Sequence, residues 1–295
     1  MITEAELTST QPLFKTISAD EAAVDLGPLA PLVGTWKGSG GWNIIAVPAP
    51  GGVEAFTLLV QPIIDTITFK PILALVPNRG GNVGVMQIPG LYYEQTVYQQ
   101  TNPTQLMHIE NGMWLLMPLP QPPMGGSSKP PANLVPQVAR LSTIPHGNSL
   151  VAVGGVTQSN GAPTIPTNSA FPDVGQVLFL PGYTDPYMRQ KINTTDINKV
   201  LRDANQGVLI RQTTTLDVST ANGGGVANIP FIQAHAEARN FKCTFWIETV
   251  GDLLGKRLQY SQQVDLFFIS RPDGEGLVKW PHITVSTLAK QTPVS

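Results

Sequence analysis

A single cysteine, Cys243, stands among 295 residues, so no intrachain disulfide can form and the chain reads as one from a reducing compartment. In a strand-like context it reads as a small buried apolar side chain rather than a reactive thiol. Charge is scarce too: Asp, Glu, Lys and Arg make up 13%, against roughly 25% in an average soluble domain. The net charge is −2 and no cluster of Lys and Arg forms a basic stripe, which argues against nucleic acid as a partner. There is no apolar run long enough for a membrane span. The segment from Met1 to Leu13 carries Glu4 and Glu6 and lacks the basic start and apolar stretch of a secretory signal, so a cytoplasmic protein is expected. Histidine occupies four positions, His108, His146, His235 and His282, with no i, i+2 or i, i+4 pair, so the usual spacings of a zinc site are missing. No G-x-S-x-G occurs, and no repeat of fixed period is visible.

What the chain does have is material for a sheet-rich core. Hydrophobic residues are 42%, and 28 glycines and 27 prolines punctuate short apolar runs, the texture of strands and turns. The pattern predicts one domain over 1–295. Residues 1–28 read as an arm with a short helix at Asp20–Leu26, capped by Ser18. Strands are expected at Val53–Val60 and Ile63–Phe69 with a break at Pro62, at Tyr92–Tyr98 and at Leu106–Met117, the last two joined by a turn at Thr101–Pro103. A Pro- and Gly-rich stretch at 118–135 can form neither helix nor central strand. It opens an insertion over 118–205, which ends in the clearest helix, Thr195–Gln206, with Thr194 or Thr195 as cap and Gly207 as stop. Further strands follow at Gln137–Ser142, Leu150–Thr157, Val208–Ser219, Phe241–Val250, Arg257–Ile269 and His282–Leu288. Gly223-Gly224-Gly225 reads as a hairpin tip. So many strands leave exposed edges, which closure into a barrel removes. The low charge also makes a homodimer plausible.

Three segments resemble one family. Leu32-Val-Gly-Thr-Trp-Lys-Gly-Ser-Gly-Gly41 is similar to the opening strand of the nitrobindin-like haem-binding β-barrels, L-x-G-x-W-x-G-x-G. Its glycines permit a sharply coiled strand, and Trp36 can close one barrel end. Leu91–Glu94 with Leu106–Trp114 resembles the family's paired strands, the second carrying H-x-E-x-G. His108, Glu110 and Trp114 share one face of that strand; Met107, Ile109, Met113 and Leu115 read as packed core on the other. Arg257–Phe267 with Leu277–Leu288 resembles the final hairpin, where a histidine after proline binds haem iron.

The resemblance, over the two ends of the chain, implies a closed antiparallel β-barrel of calycin or nitrobindin type. It implies haem b as cofactor, with His282 as the metal ligand and His108, Glu110, Trp36 and Trp114 around the site. Haem needs only one axial protein ligand, so scarce histidine does not argue against it. The implied chemistry is binding of nitric oxide, reaction with peroxynitrite as an isomerase, or weak peroxidase activity. Two features point elsewhere: the insertion has no counterpart in the compact members, and on the last strand His282 shares its face with polar Thr284 and Ser286. The alternative is a haem-free barrel that carries an apolar small molecule, as lipocalins do, or transforms one as an isomerase or cyclase.

Overall fold

Alternation of inward and outward side chains runs through ten long strands and closes them into a ring in the computed structural model. The structure describes residues 15–16, 18–49, 56–75, 77–79, 85–117, 137–174, 180–185, 191–251, 255–272 and 274–292. In chain order the ring strands are β1 (Gly34–Pro48), β2 (Phe56–Pro71), β3 (Gly90–Gln99), β4 (Asn102–Met117) and β5 (Gln137–Ile144). They continue as β6 (Asn148–Asn160), β7 (Ile210–Asn228), β8 (Glu237–Val250), β9 (Gly255–Ser270) and β10 (Leu277–Lys290). Each pairs antiparallel with its neighbours in sequence, and β10 pairs with β1, so the fold is an up-and-down barrel with no free edge in the ring. Two short pairs, Lys15–Thr16 with Ala74–Leu75 and Pro77–Arg79 with Val85–Gln87, lie outside it. Among the described residues no helix is long and apolar enough to cross a membrane.

Two glycines show why the barrel can close so tightly. A Cβ on Gly38 would stand 2.1 Å from the carbonyl oxygen of Thr287 on β10. The seam between the first and last strands therefore needs a residue without a side chain there. Gly112, inward between Glu110 and Trp114, lies so close to β5 that a Cβ would be 1.9 Å from the Leu141 carbonyl oxygen.

One end of the ring is plugged. Helix α1 (Ala19–Asp25) starts in a reciprocal cap: Glu21 N–H donates to Ser18 Oγ (3.2 Å), and Ser18 N–H donates to the Glu21 carboxylate (2.8 Å). The 3₁₀ turn Gly27–Leu32 follows and buries Leu29 and Leu32. Trp36 sits beneath it, fully buried, and its indole N–H donates to the Leu32 carbonyl at 2.6 Å. Inside this half Trp114, Phe69, Tyr93, Phe245, Phe241 and Leu258 form one continuous core.

A second core lies outside the ring. Ile165, Tyr183, Ile192, Ile197 and Leu201, which follow β6 in the chain, lie over the outer faces of Ile44, Phe56, Trp246, Trp280, Ile283 and Val285. Trp280 stacks on Phe268 with centroids 5.0 Å apart and meets Phe56 at 4.6 Å. These residues make a second wall behind β1, β2 and β8–β10, whereas β5 and β6, which the expected insertion over 118–205 also spans, belong to the ring itself. This explains the last strand: Ile283 and Val285 face outward yet are buried, while His282 and Thr284 face inward.

Several local expectations change. The helix expected over Thr195–Gln206 is α-helical only at Lys199–Asp203 (α2), with i→i+3 turns around it. Thr194 donates instead to the Tyr183 carbonyl and Thr195 bonds Asn193, so neither caps. β2 runs straight through Pro62, because β3 ends opposite Ile63 and leaves no ladder bond there for proline to break. The β3–β4 turn is Gln100–Thr101, and Asn102 and Pro103 already belong to β4. Gly224 and Gly225 are not a hairpin tip but pair with Ala152 and Val151 at an irregularity in β7. Ile109 and Met113, expected in the core, are exposed on the outer face, 43% and 40%. The expected loop at 118–135 and most of the run Val177–Leu180 lie outside the described residues.

Candidate binding site

A ten-stranded ring is wider than the eight-stranded barrels whose interiors side chains just fill. Here the plugged half is filled and the other half is not. At the open end lies a chamber of about 310 Å³, at the lower limit of ordinary small-ligand pockets. His108 (β4), His146 (the β5–β6 turn) and His282 (β10) all line it, with the amides of Asn43, Gln61, Gln95, Gln105 and Gln262. Tyr260, Thr284, Met107 and the aliphatic side chains of Ile45, Val47, Leu59, Val97 and Leu106 complete the wall. No Asp, Glu, Lys or Arg is among these lining residues.

The floor separates chamber from core and is built from two polar networks. In the first, Arg140 is 1% exposed and sits among the rings of Tyr93, Trp114, Phe241 and Phe245, its guanidinium 5.3–5.7 Å from each centroid. Its Nη2 donates to Glu110 Oε1 at 2.7 Å, Nε to the Tyr93 hydroxyl at 3.1 Å and Nη1 to the Cys243 sulfur at 3.0 Å. The Tyr93 hydroxyl also donates to Glu110. Burial alone would push the Glu110 carboxyl up, but the Arg140 charge and the bonds from His108 and Ser142 hold it well below the usual range. Glu110 is therefore a fixed buried anion. Burial pushes the Cys243 thiol up to about 12, so it is no nucleophile.

Glu110 is linked to the chamber through His108. Its Oε2 accepts from His108 Nε2 at 3.2 Å. A carboxylate only accepts, so Nε2 carries the hydrogen and the lone pair of the neutral ring is on Nδ1. The His108 ring, 20% exposed, lies 5.7 Å from that of His146, centroid to centroid. Burial lowers the His146 pKa, and His108 lowers it further.

The second network puts Asp65 behind the wall. Tyr260 donates to Asp65 Oδ2 at 2.6 Å and Gln95 to Oδ1 at 3.1 Å, and Gln95 also bonds the Tyr260 hydroxyl at 3.0 Å. Burial pushes the Asp65 carboxyl up to about 6, although those bonds and His108 pull it part of the way back.

On β10 the His282 ring bonds Asn43 Oδ1 through Nε2 at 2.8 Å, and Thr284 Oγ1 donates to the same oxygen at 3.0 Å. Burial first, then His108 and His146, lower the His282 pKa to about 3, so the ring is neutral near pH 7. His282, His108 and Glu110 thus come together at the chamber and its floor. Trp36 and Trp114 lie in the filled half and do not line it. Histidine spacing alone gives His146 no role; the signal available in the sequence is its place between two expected strands, in Pro145-His146-Gly147, which forms the β5–β6 turn at the open end.

The residues do not fit a porphyrin as they stand. The Nε2 of His282 is taken up by Asn43, the lining offers no Lys or Arg for propionates, and a chamber of about 310 Å³ is small for a tetrapyrrole. Among the described residues no group of three His, Cys, Asp or Glu is arranged to hold a metal ion.

No protein-family model and no curated protein matches the sequence. Among solved structures, Rv2717c from M. tuberculosis is similar with a TM-score of 0.43 and 13% identity, over 91% of this chain and 98% of that chain. A likeness at that level carries no argument about function. The strand pairing itself makes this chain a closed antiparallel ten-stranded β-barrel, filled in one half and hollow in the other.

Proposed function

We propose that the protein binds a small, uncharged molecule of mixed polarity inside the open half of the barrel. The observation that carries this reading is the chamber wall, which is rich in amides, imidazoles and aliphatic groups and free of fixed charge. An ionised ligand would lose its hydration there with no opposite charge in the lining to offset the loss. A neutral one gains apolar contact from Ile45, Leu59 and Val97 and hydrogen bonds from the amides. Native mass spectrometry of the purified protein tests it. Wild type should carry an added mass that Gln262→Trp, which fills the chamber, excludes. Identical spectra, together with no thermal shift from a panel of neutral small molecules, overturn the reading.

A second reading is the nitrobindin-like one, with haem b on His282. Its support is the neutral, inward-facing imidazole of His282. It requires Asn43 to release Nε2 and the chamber to enlarge. Hemin titration separates the two. A Soret band at equimolar loading that His282→Ala abolishes would establish haem and displace the first reading.

A further inference from the structure

Three imidazoles share the chamber, and they are not equivalent. His282 donates to a neutral amide and its environment disfavours the charged ring. His146 stands on a turn and packs beside His108. Only His108 has a carboxylate partner, Glu110, which is 1% exposed and held in place by Arg140 and Tyr93. A carboxylate behind an imidazole fixes the tautomer, aims the opposite nitrogen and stabilises the cation that forms when the ring takes a proton. Among the described residues Nδ1 of His108 has no hydrogen-bond partner, while the ring itself lines the chamber.

Resting on the reading of the chamber as a site for an uncharged molecule, we propose that His108 is a general base, with Glu110 as its positioning residue, and that the chamber isomerises neutral carbonyl compounds by proton transfer. His108 Nδ1 takes a proton from the carbon next to the carbonyl, and the C–H electron pair moves to the carbonyl oxygen as an enolate. The amide groups of Gln61 and Gln262 supply N–H donors in the lining to meet that oxygen. In a β,γ-unsaturated carbonyl compound the enolate is conjugated with the C=C bond, so the proton returns from Nδ1 to the γ-carbon, the carbonyl re-forms and the double bond moves into conjugation with it; nothing is consumed and no co-reactant is needed. The groups facing His108 are Glu110 on its own strand, His146 on the β5–β6 turn, His282 on β10 and Asp65 on β2, with Arg140 of β5 behind Glu110.

The probe is 5-nitrobenzisoxazole, a flat neutral molecule. Loss of its ring C–H proton to a base breaks the N–O bond, leaves the electron pair on oxygen and gives a coloured cyanophenolate. The intact protein should turn it over. His108→Ala should lose about 100-fold or more in kcat/KM, whereas Lys199→Ala, an exposed position on α2 away from the chamber lining, should leave it unchanged. Glu110→Gln should lower kcat more than it changes KM and move the acidic limb of the pH profile to lower pH, which a merely structural role would not do. His108→Gln, at a partly exposed position, keeps the test independent of any folding defect in the Glu110 variant. Binding of the probe, followed by displacement of a chamber-filling dye, is measured alongside. A probe that binds but is not turned over, or whose turnover survives His108→Ala, overturns the base and leaves the binding reading standing. Failure to bind overturns both.

Discussion

Replacing Asp65 with asparagine removes a charge that the barrel buries among neutral donors. Asp65 is fully buried, accepts from Tyr260 and Gln95, and titrates near 6 in the folded protein instead of 3.8. Between those two values the folded state binds the proton more tightly than the unfolded chain. This group's contribution to stability is therefore lost as pH rises from about 4 to 6, and it stays lost above that. Two pH units correspond to ~3 kcal/mol. Asparagine has nearly the same shape and no such titration. The two proteins should be about equally stable near pH 4, and the variant should gain roughly 2–3 kcal/mol on wild type by about pH 7.5. His282 acts in the opposite sense over much of the same range, since its folded pKa is depressed, but it is present in both proteins and cancels in the difference. Urea unfolding followed by tryptophan fluorescence at several pH values measures that difference directly. A gap that does not change with pH, or one that turns against the variant at neutral pH, refutes the burial argument.

Arg140→Met should cost ~3–5 kcal/mol in urea unfolding by leaving Glu110 buried without its cation, and Glu110→Gln added to it should recover much of the loss. Gly112→Ala drives a methyl into the Leu141 carbonyl, so the far-UV circular dichroism should show a chain that fails to reach the barrel. Trp280→Ala should cost ~3–5 kcal/mol, read as a lower urea midpoint, yet leave ligand binding unchanged because its ring faces the outer core and not the chamber.

The barrel was legible because ring strands carry their signal locally. Apolar runs bounded by Gly and Pro marked most of the ten, and the glycines after Trp36 marked a sharply coiled strand. His108 and Glu110 were legible as a pair since two residues along a strand share a face. What could not be read was which face points inward. Ile283 and Val285 look like the core side of β10, and they are buried, but in the outer core with Ile165, Ile192 and Ile197. Ile109 and Met113 look equally core-like and are exposed, because among the described residues nothing covers β4 from outside. Alternation distinguishes two faces; only tertiary contacts assign them. The partnership of Arg140 with Glu110, and the place of His146 beside His108, join strands 30 or more positions apart and leave no mark in either segment.

The outer shell is one-sided, and that asymmetry bears on how anything enters. The outer faces of β1, β2 and β8–β10 are backed by the packed outer core, whereas β4 and β6 present Ile109, Met113 and Val151 to solvent. Thermal fluctuation concentrates where backing is thinnest. Transient parting of the ring should therefore fall on the arc that carries His108 and His146, while the arc that carries His282 stays shut. Amide hydrogens of β4–β6 would then exchange sooner than those of β9 and β10, and the bare flank rather than the reinforced one would serve as the doorway.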